Sequence, residues 1–285
     1  GGGRPPPHAD VPQAIALAMA DAAPRSRLVH LGSCLEYGPV PPHTAVDESV
    51  PAAPVTEYGR SKLLGTRRLR AVADEHGLDA VVLRVFNAIG PGMSPASVLG
   101  RALEVLLAAR ADGRRAALEL LDLRQHRDYV DARDVADAVV AAATPPAHPA
   151  PEWCFNIGSG AARTAAEVVR LLAETSGVPF DLTLRPVTGS GARSAGADWQ
   201  RADTGRARRA LGGSPRRTLP RTLDDIWAAA RTDLAGRTDL ADRTDRRAAA
   251  SPSTPLSPPV PVGPTPADPP PPASPPRKET SSHDR

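Results

Sequence analysis

Residues 78–87, LDAVVLRVFN, make a β-branched and almost continuously apolar run. A run of that kind reads as a parallel strand covered on both faces. Parallel neighbours need a crossover between them, usually a helix, and the sequence supplies helical spacing on either side. Apolar periodicity predicts helices over Val11–Ala23 and Tyr58–His76, the second stopped at Gly77, and further helices over Ser97–Arg110, Arg133–Ala143 and Thr164–Ser176. Strands are predicted at Arg27–Ser33, Leu78–Asn87, near Leu118–Leu123, at Cys154–Ile157 and at Asp181–Val187, with two short helices near 204–211 and 220–231 closing the regular part. Strands alternating with helices specify an α/β fold built on a mainly parallel, doubly wound sheet.

Composition narrows the class. The chain has 285 residues, 41% of them hydrophobic, which suits one large domain or two modest ones. No apolar run approaches the roughly 18 residues of a bilayer helix, so no membrane partner is expected. No tripartite secretory signal opens the chain. Two cysteines, Cys34 and Cys154, make no disulfide framework, and the histidines show no metal-ligand spacing. A cytoplasmic protein without a metal follows. The net charge of +3 gives no case for nucleic acid, and the 13 Arg against 8 Asp of residues 191–247 read as a solvated, ion-paired surface.

The two ends differ from the middle. Residues 1–10, GGGRPPPHAD, read as a linker-like start. After Arg231 the periodicity fails: RTDLAG, RTDLAD and RTDRR repeat with period six, and residues 251–285 hold 13 of the 33 prolines. Residues 232–285 are therefore expected to be a low-complexity, disordered tail.

Of 35 basic residues only Lys62 and Lys278 are lysine, and Lys278 lies in that tail. Lys62 is therefore informative. Tyr58-Gly-Arg-Ser-Lys62 puts a phenol and an ammonium on one helix face. Three tyrosines and two lysines would produce such a pair by chance only about 0.02 times in a chain of this length. A neighbouring cation favours the phenolate and lowers the tyrosine pKa, making a general acid/base for a carbinol oxygen. Ser33 ends a predicted strand 25 residues earlier. Ligands sit at the carboxyl ends of parallel strands, so its hydroxyl can share a substrate carbonyl with Tyr58.

In Ser33, Tyr58 and Lys62 the sequence resembles the extended short-chain dehydrogenase/reductases, the NAD-dependent epimerase/dehydratase group acting on nucleotide sugars. The resemblance spans most of residues 10–230. Arg84-Val-Phe-Asn87-Ala-Ile-Gly90-Pro91 is similar to the family's R-x-x-N-x-x-G-P, and Arg127-Asp-Tyr-Val130 to its R-D-[FY]-V. Phe155-Asn-Ile-Gly158 matches the strand that follows, and Arg193 resembles a second phosphate-binding arginine. The resemblance implies a catalytic Ser33, Tyr58 and Lys62, the last two also holding NAD or NADP, with Asn87, Arg127 and Arg193 on a nucleotide-diphosphate sugar. Taken singly, Asn87 could cap a turn and the two arginines could be surface ion pairs. Family members that dehydrate or decarboxylate carry a glutamate where this chain has Leu35, which disfavours those reactions. Cys34 stands one position from the cysteine of the 3,5-epimerase/reductases, and no histidine follows Gly90-Pro91. What remains is reduction of a 4-keto sugar, or 4-epimerisation through a transient ketone. The resemblance also implies a possible homodimer.

The family opens with a strand, a glycine-rich loop and a helix that holds the cofactor pyrophosphate. No Gly-x-Gly-x-x-Gly or Gly-x-x-Gly-x-x-Gly occurs in the 285 residues; Gly158-Ser-Gly160 and Gly189-Ser-Gly191 lack the third glycine. The expectation is an incomplete Rossmann domain that starts in its fourth helix, with roughly 80–100 residues missing at about 25–30 per βα unit. Residues 11–160 would be its C-terminal half, with an excursion near 91–125, and residues 161–231 a small substrate-binding domain. The strand at 27–33 would then have an unpaired edge, leaving the isolated chain prone to association. Two functional readings stay open: an enzyme, or a truncated, non-catalytic remnant that acts as a binding module.

Overall fold

A computed structural model describes residues 7–121, 124–144, 152–186, 198–212 and 215–250, with side chains between 10 and 234 of those ranges. The chain divides into two units, Gly1–Asp239 and Leu240–Arg285, and every described strand belongs to the first.

The central sheet joins β1 (Leu28–Ser33), β2 (Ala80–Val85) and β6 (Cys154–Ile157), all parallel, in the order β1-β2-β6. The period of two along β2 explains its unbroken apolarity. Ala80 and Val82 face helices α1 (Pro7–Ala22) and α2 (Glu57–His76), where they meet Leu69, Val72 and Ala73. Val81 and Leu83 face the other way, into Val135 and Ala142 of α4 (Ala132–Ala143) and Ala207 of α6 (Gly205–Leu211). Among the described residues β1 pairs with β2 alone, and Leu31 on it stays 44% exposed. Among the described residues β1 is thus an edge strand.

The predicted strand Leu78–Asn87 is shorter than its apolar run. The chain leaves the sheet at Phe86, whose N–H donates to the Ile157 carbonyl at 2.9 Å. Asn87 then opens β3 (Asn87–Ile89), which pairs with β5 (His126–Asp131), itself antiparallel to β7 (Ala162–Thr164). Neither β5 nor β7 was expected. The charged side chains of HRDYVD mask the alternation, and a three-residue strand carries no period.

A second core surrounds the parallel pair β4 (Ala116–Leu121) and β8 (Phe180–Arg185). Helices α3 (Val98–Ala111), α5 (Ala165–Ser176) and α7 (Leu219–Ala250) cover it, and Leu106, Leu172, Leu223 and Ile226 are fully buried or nearly so. Thr164 and Glu167 form the capping box that starts α5, and Gly177, in the left-handed region at φ 68°, stops it.

Both ends correct the sequence reading. α1 starts at Pro7, inside the stretch expected to be linker, because proline in a first helical turn forfeits no hydrogen bond. α7 runs past Arg231 to Ala250. The repeat has no helical face, but its alanines and arginines are good helix formers and no proline interrupts it before Pro252. The rest of the expected tail, residues 251–285, lies outside the described residues, as does Gly189-Ser-Gly191. Among the described residues no helix is long and apolar enough to cross a membrane.

Candidate active site

The site is built where β1 meets the start of α2. Ser33 ends β1 and caps the single 3-10 turn Cys34–Glu36. Its Oγ accepts from the Leu35 N–H at 3.2 Å, and the Glu36 carboxylate accepts from the Ser33 N–H at 3.0 Å. Thr56 caps α2 by accepting from the Gly59 N–H at 3.0 Å, which sets Tyr58 on the first turn. The Ser33 side chain lies close enough to the Tyr58 phenol to pull its pKa down. Lys62 follows one turn later, its Nζ 5.9 Å from the Tyr58 ring centroid and donating to the Leu31 carbonyl at 3.0 Å. The structure thus brings all three predicted residues together.

A glycine inside Y-G-R-S-K makes this approach possible. A Cβ on Gly59 would lie 2.4 Å from the Leu35 carbonyl oxygen, closer than any real contact. The helix start and the turn after Ser33 therefore touch backbone to backbone. Gly38, at φ 81°, does the same for the Pro-rich loop that follows: its Cβ would fall 2.0 Å from the Ala53 carbonyl oxygen.

One electrostatic expectation is corrected. Burial is the largest influence on Tyr58 and pushes its phenol above the ordinary value; the Ser33 side chain pulls it down, and Cys34 and Glu36 push it further up. Burial also holds Cys34 at about 12 and Cys154 at about 11, so both thiols stay protonated at neutral pH.

Beneath the site runs a polar network that the sequence reading passed over. Glu36 is fully buried; it accepts from Thr66 Oγ1 at 3.2 Å and pairs with Arg84 Nε at 3.0 Å. The Arg84 guanidinium lies 4.5 Å from the Tyr37 ring, and the Tyr37 hydroxyl donates to Asn156 Oδ1 at 2.7 Å. These contacts tie the Ser33 turn to α2, β2 and β6. The signal was the glutamate directly before Tyr37, just past the end of a predicted strand. Because Glu36 is committed to Arg84, it is no substitute for the acid missing at Leu35.

The remaining predicted residues separate. Asn87 Nδ2 donates to the Asp128 carbonyl and to Gln200 Oε1, each at 3.2 Å. Arg127 donates to Gln125 Oε1 at 2.8 Å and to the His126 carbonyl at 3.1 Å. Burial pushes its guanidinium below the ordinary value, against the pull of Cys34, Tyr129 and Asp198. Asp128, wholly buried, accepts from the N–H groups of Ser159, Gly160 and Ala202 and so clamps the segment around Gln200 to β5. Arg193 lies outside the described residues.

Residues 8–158, just over half of the chain, match the model of the NAD dependent epimerase/dehydratase family. The chain belongs to that family. A dTDP-6-deoxy-L-talose 4-dehydrogenase (NAD(P)(+)) of Kitasatospora kifunensis is 42% identical over 216 residues, covering 75% of this chain and 66% of the relative. A UDP-glucose 4-epimerase of Azospirillum brasilense is 34% identical over 164 residues, 53% of this chain and 46% of the relative. The chain thus spans just under two thirds, or less, of these family members. Among solved structures, a UDP-glucuronic acid 4-epimerase from Bacillus cereus shares the fold, with a TM-score of 0.64 at 22% identity over 79% of this chain and 67% of that one. The matched epimerase/dehydratase residues take in Ser33, Tyr58, Lys62, Asn87 and Arg127.

Proposed function

We propose that the chain carries the catalytic half of a nucleotide-sugar oxidoreductase that interconverts a hydroxyl and a ketone at C4 of the sugar. The carrying observation is that Ser33, at the end of β1, bears on Tyr58 at the start of α2, with Lys62 one helical turn further on and its Nζ 5.9 Å from the Tyr58 ring. The 42% identical relative, named a 4-dehydrogenase, favours reduction of a 4-keto sugar over epimerisation.

Lys62 and Tyr58 fit the nicotinamide ribose end of NAD or NADP. An ammonium has three N–H donors, and the Leu31 carbonyl accepts from Lys62 at 3.0 Å, so further donors remain for ribose hydroxyls. Bound there, the nicotinamide supplies or takes the hydride at C4. Tyr58 gives its hydroxyl proton to the C4 oxygen as the carbonyl electron pair moves onto that oxygen, and Ser33 holds and polarises the carbonyl. Asn87 and Arg127 belong to the nucleotide-sugar side, and the core around β4 and β8 is the substrate-binding domain. The enzyme is cytoplasmic. A second copy of the chain would dock on α1, where Val11 and Ile15, one turn apart, are about half exposed.

Incubating the chain with a thymidine diphosphate 4-keto-6-deoxyhexose and C4-deuterated NADPH is expected to place deuterium at C4 of the sugar. Deuterium absent from C4 despite product formation would refute the chemistry. The raised Tyr58 pKa fixes a pH dependence. Reduction needs the protonated phenol, so its rate is level through neutral pH and falls on the alkaline side; oxidation needs the phenolate and rises there. A reductive rate that climbs with pH would contradict Tyr58 as the acid. Gly59→Ala is expected to cut kcat by about 10²-fold through displacement of Tyr58 from Ser33. Wild-type turnover in that variant would show that the close approach is dispensable.

A further inference from the structure

Among the described residues, three buried side-chain atoms have no hydrogen-bond partner: His30 Nε2, Ser61 Oγ and Gln200 Nε2. Gln200 is 96% buried by its 4% exposure, and it stands between two predicted ligand contacts. Its main-chain N–H donates to the His126 carbonyl at 3.0 Å, the same oxygen that accepts from Arg127 at 3.1 Å. Its Oε1 accepts from Asn87 Nδ2 at 3.2 Å.

Chemistry fixes which way these amides face. The Asp128 carbonyl can only accept, so the Asn87 atom beside it is the nitrogen. That nitrogen also faces Gln200, so the Gln200 atom meeting it is the oxygen. Gln200 Nε2 is left as a buried donor, a costly state unless an acceptor arrives. Both N–H bonds of Asn87 are meanwhile used within the protein.

We infer that Gln200 Nε2 donates to an acceptor oxygen of the bound nucleotide sugar, and that Asn87 acts by orienting Gln200 instead of gripping phosphate itself. The inference rests on the nucleotide-sugar reading above. The oxygen belongs either to the diphosphate, beside Arg127, or to the sugar, and the two sources separate by experiment.

The test is calorimetric titration of the purified chain with UDP, dTDP and their glucose esters, for wild type, Gln200→Glu and Gln200→Met. Gln200→Glu keeps the acceptor for Asn87 and removes the donor; Gln200→Met removes both. Each variant is expected to weaken binding about tenfold. Equal weakening for the diphosphates and the esters assigns the oxygen to the diphosphate, and weakening of the esters alone assigns it to the sugar. In wild type, the side-chain amide resonance that Gln200→Met deletes is expected to shift on ligand addition, a readout independent of variant folding. Wild-type affinity in Gln200→Met, or an unmoved amide resonance under saturating ligand, would overturn the inference while leaving the nucleotide-sugar reading intact. Absence of binding to wild type would overturn both.

Discussion

Tyr58→Phe is expected to lower kcat for reduction of a 4-keto nucleotide sugar by about 10²–10⁴-fold, the range for loss of a positioned general acid. The substitution removes one oxygen and leaves the ring against which Lys62 rests. Tyr58 is 44% exposed, so no core packing is lost and the melting temperature should stay within a few degrees. Substrate affinity should change little, because the missing proton transfer matters in the transition state alone. Ser33→Ala should reduce kcat less, since the phenol can still reach the carbonyl oxygen. A Tyr58→Phe variant with wild-type kcat would remove Tyr58 from the chemistry.

Arg84→Met should have the largest effect on stability. It leaves the Glu36 carboxylate fully buried without its countercharge, and breaking a buried pair from one side costs about 3–5 kcal/mol. For a domain of this size that corresponds to a fall in Tm on the order of 10 °C. The loss would be felt at the site too, since Glu36 accepts from the Ser33 N–H and thereby shapes the turn that aims its hydroxyl. The double variant Glu36→Gln, Arg84→Met should recover part of the stability, because no net charge then remains buried. Chemical denaturation of the two variants decides this. A single variant as stable as wild type would mean the pair contributes nothing to the fold.

The proposed trio of Ser33, Tyr58 and Lys62 was legible because its spacing is local. Tyr58 and Lys62 share a helix face by periodicity alone, and the strand preceding Ser33 announces itself by its apolar run. Gly59 sat in the same motif, but its reason, a backbone contact with Leu35, appears only once the helix and turn are packed. Glu36 and Gln200 were missed for a related cause. Each acts through partners 48 or 113 residues away, Arg84 and Asn87, and no local pattern marks a side chain whose surroundings are assembled at that range. The hidden strand β5 shows the same limit, since its Asp128 is buried by contacts with Ser159 and Ala202 that sequence spacing does not reveal. The phenol pKa was read in the wrong direction because a helix wheel gives proximity along the helix, not burial at its start.

Ser33, Tyr58 and Lys62 are proposed to form a nicotinamide site, and fluorescence titration with NADPH and NADH tests that most directly. Wild type is expected to bind one of them saturably, and Lys62→Met, which removes the ammonium beside Tyr58, to bind it at least tenfold more weakly. No saturable binding by wild type, or equal binding by wild type and Lys62→Met, would contradict it.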